Sequence, residues 1–347
     1  MTTDSASAAG ARKPSIYDVA ERAGVSHMTV SRVLNGHPNI RASTRDKVMT
    51  AIDEMHFTRS SIARALATNR AMRIGVIVDN PGFYGPSSVL RAIEVAARQS
   101  GYAVSSFSVG DADGRGVDAG VVELVTQGVD ALCVIAPRAS SLDLLRRQAI
   151  AVPTLVVKEE PDGQMHTASV DQRAGATAAV RHLIDLGHRT ILHIAGPPDW
   201  FDAKARTEAW QAALEAEGLP VVPPLIGDWS SDSGYAFGRE LELGEATAVF
   251  VANDQMALGL MHGLAERGIR VPEDVSVVGF DDVPDARHYQ PPLTTVRQHF
   301  ALLGEVVIGE LLAAIEGEQL EARELIQPEL RVRASTAAPR ASAPART

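Results

Sequence analysis

The stretch Ser15-Ile-Tyr-Asp-Val-Ala-Glu-Arg-Ala-Gly24-Val-Ser26-His-Met-Thr-Val-Ser-Arg-Val-Leu34-Asn-Gly36 decides how the first part of the chain folds. Ser15 can cap a helix whose first turn carries Asp18. Ile16, Val19, Ala20 and Ala23 keep helical spacing until Gly24 stops it. Ser26 then caps a second helix with an apolar face of Val30, Val33 and Leu34, ended by Asn35-Gly36, residues that tolerate left-handed backbone. A third helix begins at Ser43 and runs through Val48, Ile52 and Met55. Three short helices with a tight turn after the first form an all-α helix-turn-helix headpiece over residues 14–58, an arrangement that sets the start of its second helix in a DNA major groove.

Charge supports that placement. The chain of 347 residues carries a net charge of −10, yet residues 1–70 hold ten Lys and Arg against six Asp and Glu, a local balance of +4. The remainder is left at −14. A basic end on an acidic body directs the N-terminus to nucleic acid and keeps the body off it.

The chain is longer than one hydrophobic core usually organises. Residues 59–71 read as a linker whose helical candidate, Ser61-Ile-Ala-Arg-Ala-Leu-Ala67, is too short to hold in water by itself. From Arg73 onward, apolar runs alternate with amphipathic helices. Ile74–Val78, Ala131–Ile135, Thr154–Val157, Ile191–Ile194, Ala248–Val251 and Val275–Val278 have the texture of buried parallel strands, so the body is doubly wound α/β. These are too many strands for one small sheet. A split near Val170-Asp171 gives two lobes in a core of 72–333, one over about 72–170 and 298–327, the other over about 171–297 and 328–333. Residues 1–13 and the Ala/Pro/Ser-rich tail 334–347 are expected to be disordered.

Several function classes are disfavoured. Cys133 lies in an apolar run, where a small buried hydrophobe is expected and not a nucleophile. The first ten residues lack the apolar core of a secretory signal, and no apolar run reaches the length of a membrane span, so a cytoplasmic protein without a membrane partner is expected. Dinucleotide, phosphate-loop, nucleophile-elbow and zinc-protease motifs are missing. His182, His188, His193 and His262 fit no metal-site spacing and are expected to cap or pack. The reading is a non-enzyme without cofactor.

The segments Ile16–Ser26 and Thr29–Gly36 resemble the headpiece signature of the LacI repressor family. The likeness continues in Pro86-Ser87, Leu186-Gly-His188, Gly227-Asp-Trp-Ser230, Val251-Ala-Asn-Asp-Gln-Met-Ala-Leu-Gly259, Ser276-Val-Val-Gly279 and Pro291-Pro-Leu-Thr-Thr295, over about residues 15–333. This resemblance implies a periplasmic-binding-protein-like core of two subdomains crossed by three strands. It also implies dimerisation through that core and control of palindromic operator binding by a small molecule in the cleft, most simply a sugar that releases a repressor. A purine-like corepressor is the alternative within the family. A secreted sugar-binding protein or a sugar-active enzyme would share the body, but neither needs the headpiece. The tail has no heptad repeat, so a dimer is expected.

His27, Met28 and Arg32 are the natural base readers, Arg32 by forking onto a guanine, His27 by a purine nitrogen and Met28 by a thymine methyl. Tyr17, Ser26, Thr29, Ser31, Asn35, Thr44 and Arg45 lie where hydroxyls, amides and charges can hold phosphates, and several serve equally as caps. The resemblance makes Ser61–Ala67 a hinge helix with Leu66 as a minor-groove wedge. It also supplies an effector set of Asp79, Arg206, Trp229, Asn253, Asp281, Gln298 and Phe300. His27 and Met28 replace the Tyr-Gln pair of the family's type member, and Asp79 its serine, so neither that operator nor that sugar carries over.

Overall fold

The computed structural model describes residues 14–34, 37–57, 70–110, 116–135, 138–159, 165–318 and 324–340. They fall in two compact units, Met1–Ala71 and Met72–Thr347. The expectations for Asn35, for the hinge segment with Leu66 and for residues 1–13 lie outside the described residues.

In the first unit, α1 (Ile16–Ala23) opens with a full capping box. Asp18 N donates to Ser15 Oγ at 3.4 Å, and Ser15 N donates to the Asp18 carboxylate at 2.6 Å. Gly24, at φ 66°, turns the chain out of the helix in a conformation that a side chain disfavours. Thr29 N donates to Ser26 Oγ at 3.2 Å, which starts α2 (His27–Leu34). The third helix, α3 (Ala42–Glu54), begins before the expected Ser43, because the Arg41 carbonyl accepts from both Thr44 N and Arg45 N at 3.0 Å and closes the first turn. Ser43 is therefore inside the helix and caps nothing. Val19, Val30 and Val48, one from each helix, are fully buried and make the small core.

In the second unit, β1 (Arg73–Asp79), β2 (Ala103–Val109), β3 (Ala131–Ile135), β4 (Thr154–Val157) and β5 (His166–Ala168) form a parallel sheet ordered β2-β1-β3-β4-β5. Ile74 is paired with Val104 on one side and Ala131 on the other. Helices α4 (Tyr84–Gln99), α5 (Gly116–Thr126) and α6 (Ala139–Arg147) alternate with these strands. Ile74, Val76, Cys133 and Ile135 bury one face against α4, while Ile77, Leu132 and Val134 bury the other against α5 and α6. Burial on both faces is why these strands read as continuous apolar runs. The edge strand β2 is half exposed and carries Ser105, Ser106 and Ser108, and it left no such run in the sequence.

The second sheet contains β6 (Ile191–Ala195), β7 (Leu225–Ile226), β8 (Ala248–Val251), β9 (Ser276–Asp281), β10 (Thr294–Arg297) and β11 (Glu329–Arg331), ordered β11-β10-β9-β8-β6-β7. All pairs are parallel except β10 with β11. Its helices are α7 (Gln172–Asp185), α8 (Phe201–Ala216), α9 (Ser231–Glu240) and α10 (Asp254–Glu266). The next helix, α11 (Phe300–Ile315), packs Leu303, Val307 and Leu311 back on the first sheet. The chain therefore passes between the sheets near 170, 298 and 326. Two of these passages are paired: Asp171 N donates to Ile326 O at 2.9 Å, and Ile326 N to Ser169 O at 3.1 Å.

Disorder does not begin at Ala334. Ser335 is fully buried, donating from Oγ to Val277 O at 2.6 Å and accepting from Thr294 N at 2.8 Å. Farther on, Arg340 pairs with Asp274 at 3.0 Å. The segment's composition signals little to bury, but its hydroxyl and backbone satisfy sheet groups that would otherwise be buried without partners.

Candidate functional site

On the headpiece, Ser26, His27, Met28 and Arg32 are exposed along α2, and Thr29 and Ser31 are half-buried between them. Met28 is 56% exposed and Tyr17 65% exposed, with the Tyr17 and His27 rings 5.0 Å apart. Large apolar or aromatic surfaces left open beside a helix start provide a contact face rather than core. Ser26 and Thr29 are committed to each other, their hydroxyls 3.0 Å apart, and act as the cap that fixes this end of α2. Thr44 is half-buried in the first turn of α3, and the exposed Arg45 reaches toward the His37 carbonyl at 3.5 Å.

In the core, a cleft of about 650 Å³, its open mouth included, is lined by Arg206, Trp229, Asn253, Asp281, Gln298 and Phe300. Six of the seven expected effector residues thus share one cleft. A single chain of hydrogen bonds joins most of the polar ones. Arg206 donates from Nε and Nη2 to Gln172 Oε1 at 3.0 and 2.8 Å, and from Nη1 to Ala252 O at 2.5 Å. Gln172 Nε2 donates to Gln298 Oε1 at 2.9 Å, and Gln298 Nε2 to Asp281 Oδ1 at 2.7 Å. The guanidinium lies 3.8 Å over the Phe280 ring, which holds it against the floor. Gln172 follows the capping residue Asp171 of α7 and carried no signal in the sequence.

Two cleft residues hold left-handed backbone, Trp229 at φ 74° and Asp281 at φ 114°. Such conformations in residues with large side chains concentrate where geometry is functional. Trp229 is seated over Gly196, where a Cβ would sit 2.6 Å from its Cε2. Its indole Nε1 is buried without a hydrogen-bond partner among the described residues, a donor left for whatever enters. Asn253 caps α10 by accepting from Met256 N at 2.9 Å and donates to Trp229 O at 3.0 Å, so its cap and cleft roles coexist. Burial raises the Asp281 carboxyl to about 6 against the opposing pull of Arg206 and of the Gln298 hydrogen bond. Asp202, one turn before Arg206 on α8, also lines the cleft and is raised by burial.

Asp79 does not line this cleft. Buried at the end of β1, it pairs with buried Arg138, with Arg138 Nε 2.9 Å from Oδ2 and Nη2 3.2 Å from Oδ1, and it accepts from Asn80 Nδ2 at 2.9 Å. A carboxylate at that depth needs such a partner, and the partner occupies the oxygens a ligand would use. Phe83, Tyr84 and Trp200 line the cleft without having been marked.

Cys133 is fully buried and its thiol is pushed up by that burial. His193 stacks on Phe250 with centroids 4.8 Å apart, and burial lowers it to about 4. His188 bonds Thr247 at 2.8 Å, and His182 bonds Thr336 at 2.9 Å. Among the described residues no cluster could hold a metal ion, and no helix is long and apolar enough to cross a membrane.

Residues 15–60 match the family model described as bacterial regulatory proteins, lacI family, and residues 180–336 match that of a periplasmic binding protein-like domain. The chain is 35% identical to the lactose operon repressor of Escherichia coli (strain K12) over 329 residues, 93% of this chain and 91% of that one. It is 33% identical to the HTH-type transcriptional repressor PurR of Haemophilus influenzae (strain PittEE), over 92% of this chain and 98% of that one. The solved lac repressor dimer bound to operator and the anti-inducer ONPF is similar with a TM-score of 0.84 and 34% identity, covering 94% of this chain and 100% of that chain.

Proposed function

The chain belongs to the lacI family of bacterial regulatory proteins, and from that premise we propose a dimeric transcriptional repressor, not an enzyme, that leaves a palindromic operator when a sugar enters the core cleft. Its working place is the cytoplasm, on chromosomal DNA. His27, Met28 and Arg32 read base edges, Tyr17, Ser31, Thr44 and Arg45 hold the phosphates that set register, and the Ser26–Thr29 cap fixes the helix start that presents them. The observation that carries the effector reading is the hydrogen-bond chain from Arg206 through Gln172 and Gln298 to Asp281, beside the unpartnered indole N–H of Trp229. A pyranose presents hydroxyls to the chain and C–H surface to the indole.

For the ligand to act on DNA, it must bind the free and operator-bound states unequally. A second reading, a purine-like corepressor, draws on the same aromatic face, since an indole stacks a nucleobase as well as a sugar. The two differ in sign. Duplexes selected from a random pool by the full-length protein supply the operator, and fluorescence anisotropy then measures its affinity with added sugars or purines. Sugar-weakened binding supports the main reading, and purine-strengthened binding the second. Failure to select a palindrome refutes the DNA assignment. Arg32→Ala is expected to lower the ratio of specific to random DNA affinity by about 10- to 100-fold, in line with about 1–3 kcal/mol for a bidentate base contact. An unchanged ratio removes Arg32 from base reading.

A further inference from the structure

Lys158 and Glu159, adjacent at the end of β4, are 3% and 8% exposed. Charged side chains go that deep only with partners, and here the partners belong to helices of the other sheet. Glu159 Oε2 accepts from Gln172 N at 2.9 Å and from Arg173 N at 3.3 Å, and Oε1 meets Arg173 Nε at 3.2 Å, all at the start of α7. Lys158 Nζ lies 4.8 Å over the ring of Phe201, the first residue of α8. Two neighbouring side chains of one lobe thus hold the starts of the two helices that bring Gln172 and Arg206 to the cleft.

The start of α7 does not depend on this carboxylate for its cap. Asp171 already supplies one, accepting from Ala174 N at 2.7 Å. Burial, and then Asp171 beside it, raise Glu159 to about 7, with Asp202 of α8 adding to the rise while Arg173 and the Gln172 amide oppose it. Arg173 is shared, its Nη2 lying 2.6 Å from Glu208, which Lys204 meets at 3.8 Å. A carboxylate kept where its charge is disfavoured marks function more than stability. What it holds is the residue through which the polar chain runs. The Gln172 side chain accepts twice from Arg206 and donates to Gln298 and Val170, so each of its polar atoms is engaged. The Gln172 backbone therefore sets where the Arg206 guanidinium stands in the cleft.

We infer that Glu159 is a positioning residue for effector binding, whose carboxylate form fixes Gln172, and through it Arg206, in the geometry that the sugar meets. This inference rests on the sugar reading of the cleft. A hydrogen bond to a carboxylate is about twice as strong as one to a neutral acceptor, and protonation also ends the ion pair with Arg173. Affinity and stability then respond to pH in opposite senses. Because the carboxyl lies above its ordinary value in the folded chain, the stability it contributes is full at low pH and is lost as pH rises through about 7. The hold on Gln172 strengthens over the same interval.

Calorimetric titration of the full-length protein at pH 8 with galactose, glucose, lactose, cellobiose and maltose selects the sugar that binds most tightly. That sugar is then titrated between pH 6 and pH 8 into wild type and Glu159→Gln, which keeps an accepting oxygen but cannot ionise. Glu159 is about one-tenth ionised at the lower end of this range and about nine-tenths at the upper. The ratio of wild-type to variant affinity, in which the titration of Asp281 cancels, should grow from within about two-fold at pH 6 to about five-fold or more at pH 8. The variant should melt at or above wild type at pH 8, which separates lost positioning from a damaged fold. A ratio that stays constant with pH, or a variant that melts below wild type at pH 8, overturns the positioning role and leaves the sugar reading standing. Binding of none of the five sugars overturns the sugar reading and this role with it.

Discussion

Asp281→Asn should make the protein more stable while blinding it to effector. Asp281 is 5% exposed, and its carboxyl is raised from 3.8 to about 6, with burial the main cause and Arg206 and Gln298 opposing it. A raised carboxyl means that folding favours the protonated form. The associated stability is fully present below the unfolded value of 3.8 and is lost as pH rises through about 6. At about 1.4 kcal/mol per pH unit, ionised Asp281 costs the folded state about 3 kcal/mol above that range. Asparagine keeps the shape and the oxygen that accepts from Gln298 but cannot ionise. Thermal melts of wild type and variant at a series of pH values should show the variant higher by about 5 °C or more at pH 8, using about 2–4 °C per kcal/mol for a unit of this scale. The gap should shrink steadily toward pH 4, where the wild-type group is protonated as well. Effector affinity, titrated at pH 8, should fall at least ten-fold. A variant that melts at or below wild type at pH 8, or a gap that ignores pH, refutes the claim that this carboxylate is held ionised against its surroundings.

Three further outcomes follow from single contacts. Gly196→Ala places a Cβ 2.6 Å from Trp229 Cε2 and closer to two other ring atoms, so the indole must move. Effector affinity should drop by an order of magnitude and stability by about 1–3 kcal/mol, with effector-free operator binding unchanged in anisotropy. Arg138→Met leaves Asp79 a buried charge without its cation and should cost about 3–5 kcal/mol in denaturant unfolding, whereas adding Asp79→Asn should recover most of that loss. Ser335→Ala orphans the Thr294 amide and the Val277 carbonyl and should cost about 1–3 kcal/mol. An unaffected melt would show that the Ser335 hydroxyl contributes nothing to the fold.

The headpiece was legible because its determinants are local. Ser15, Asp18 and Gly24 write α1 within ten residues, and the valines at helical spacing are the ones that meet in the core. The buried strands were legible because two covered faces leave an apolar run, and β2 escaped because an edge strand leaves none. The cleft was different. Arg206, Trp229, Asn253, Asp281 and Gln298 come from separate segments, and only the family resemblance grouped them. Asp79 failed for a related reason: the arginine that claims it is 59 residues away, and nothing near Asp79 announces it. Phe83 and Trp200 were passed over because rules for helix starts look for small polar residues, and an aromatic residue there reads as a weak start rather than a cleft wall.

The location of the polar chain explains how a small ligand can bias a large movement. Gln172 lies at the first passage of the chain between the sheets, and its Nε2 also donates to Val170 O at 3.2 Å. Gln298 lies at the second passage, and the third is tied to the first through Asp171 and Ile326. A group that hydrogen-bonds Asp281 therefore reaches the second and first passages in two links, through Gln298 and Gln172, and the third by one more, Asp171 to Ile326. Glu159 reinforces this junction by accepting from Gln172 N at 2.9 Å and pairing with Arg173 at 3.2 Å, although burial and Asp171 raise it to about 7. Its stabilising proton is lost as pH rises through that value, so the electrostatic cost at this passage is greatest above it. A ligand can shift the lobes only by the difference in its contacts between the two arrangements. The polar chain that lines the cleft is anchored at two of these passages, by Gln172 at the first and Gln298 at the second.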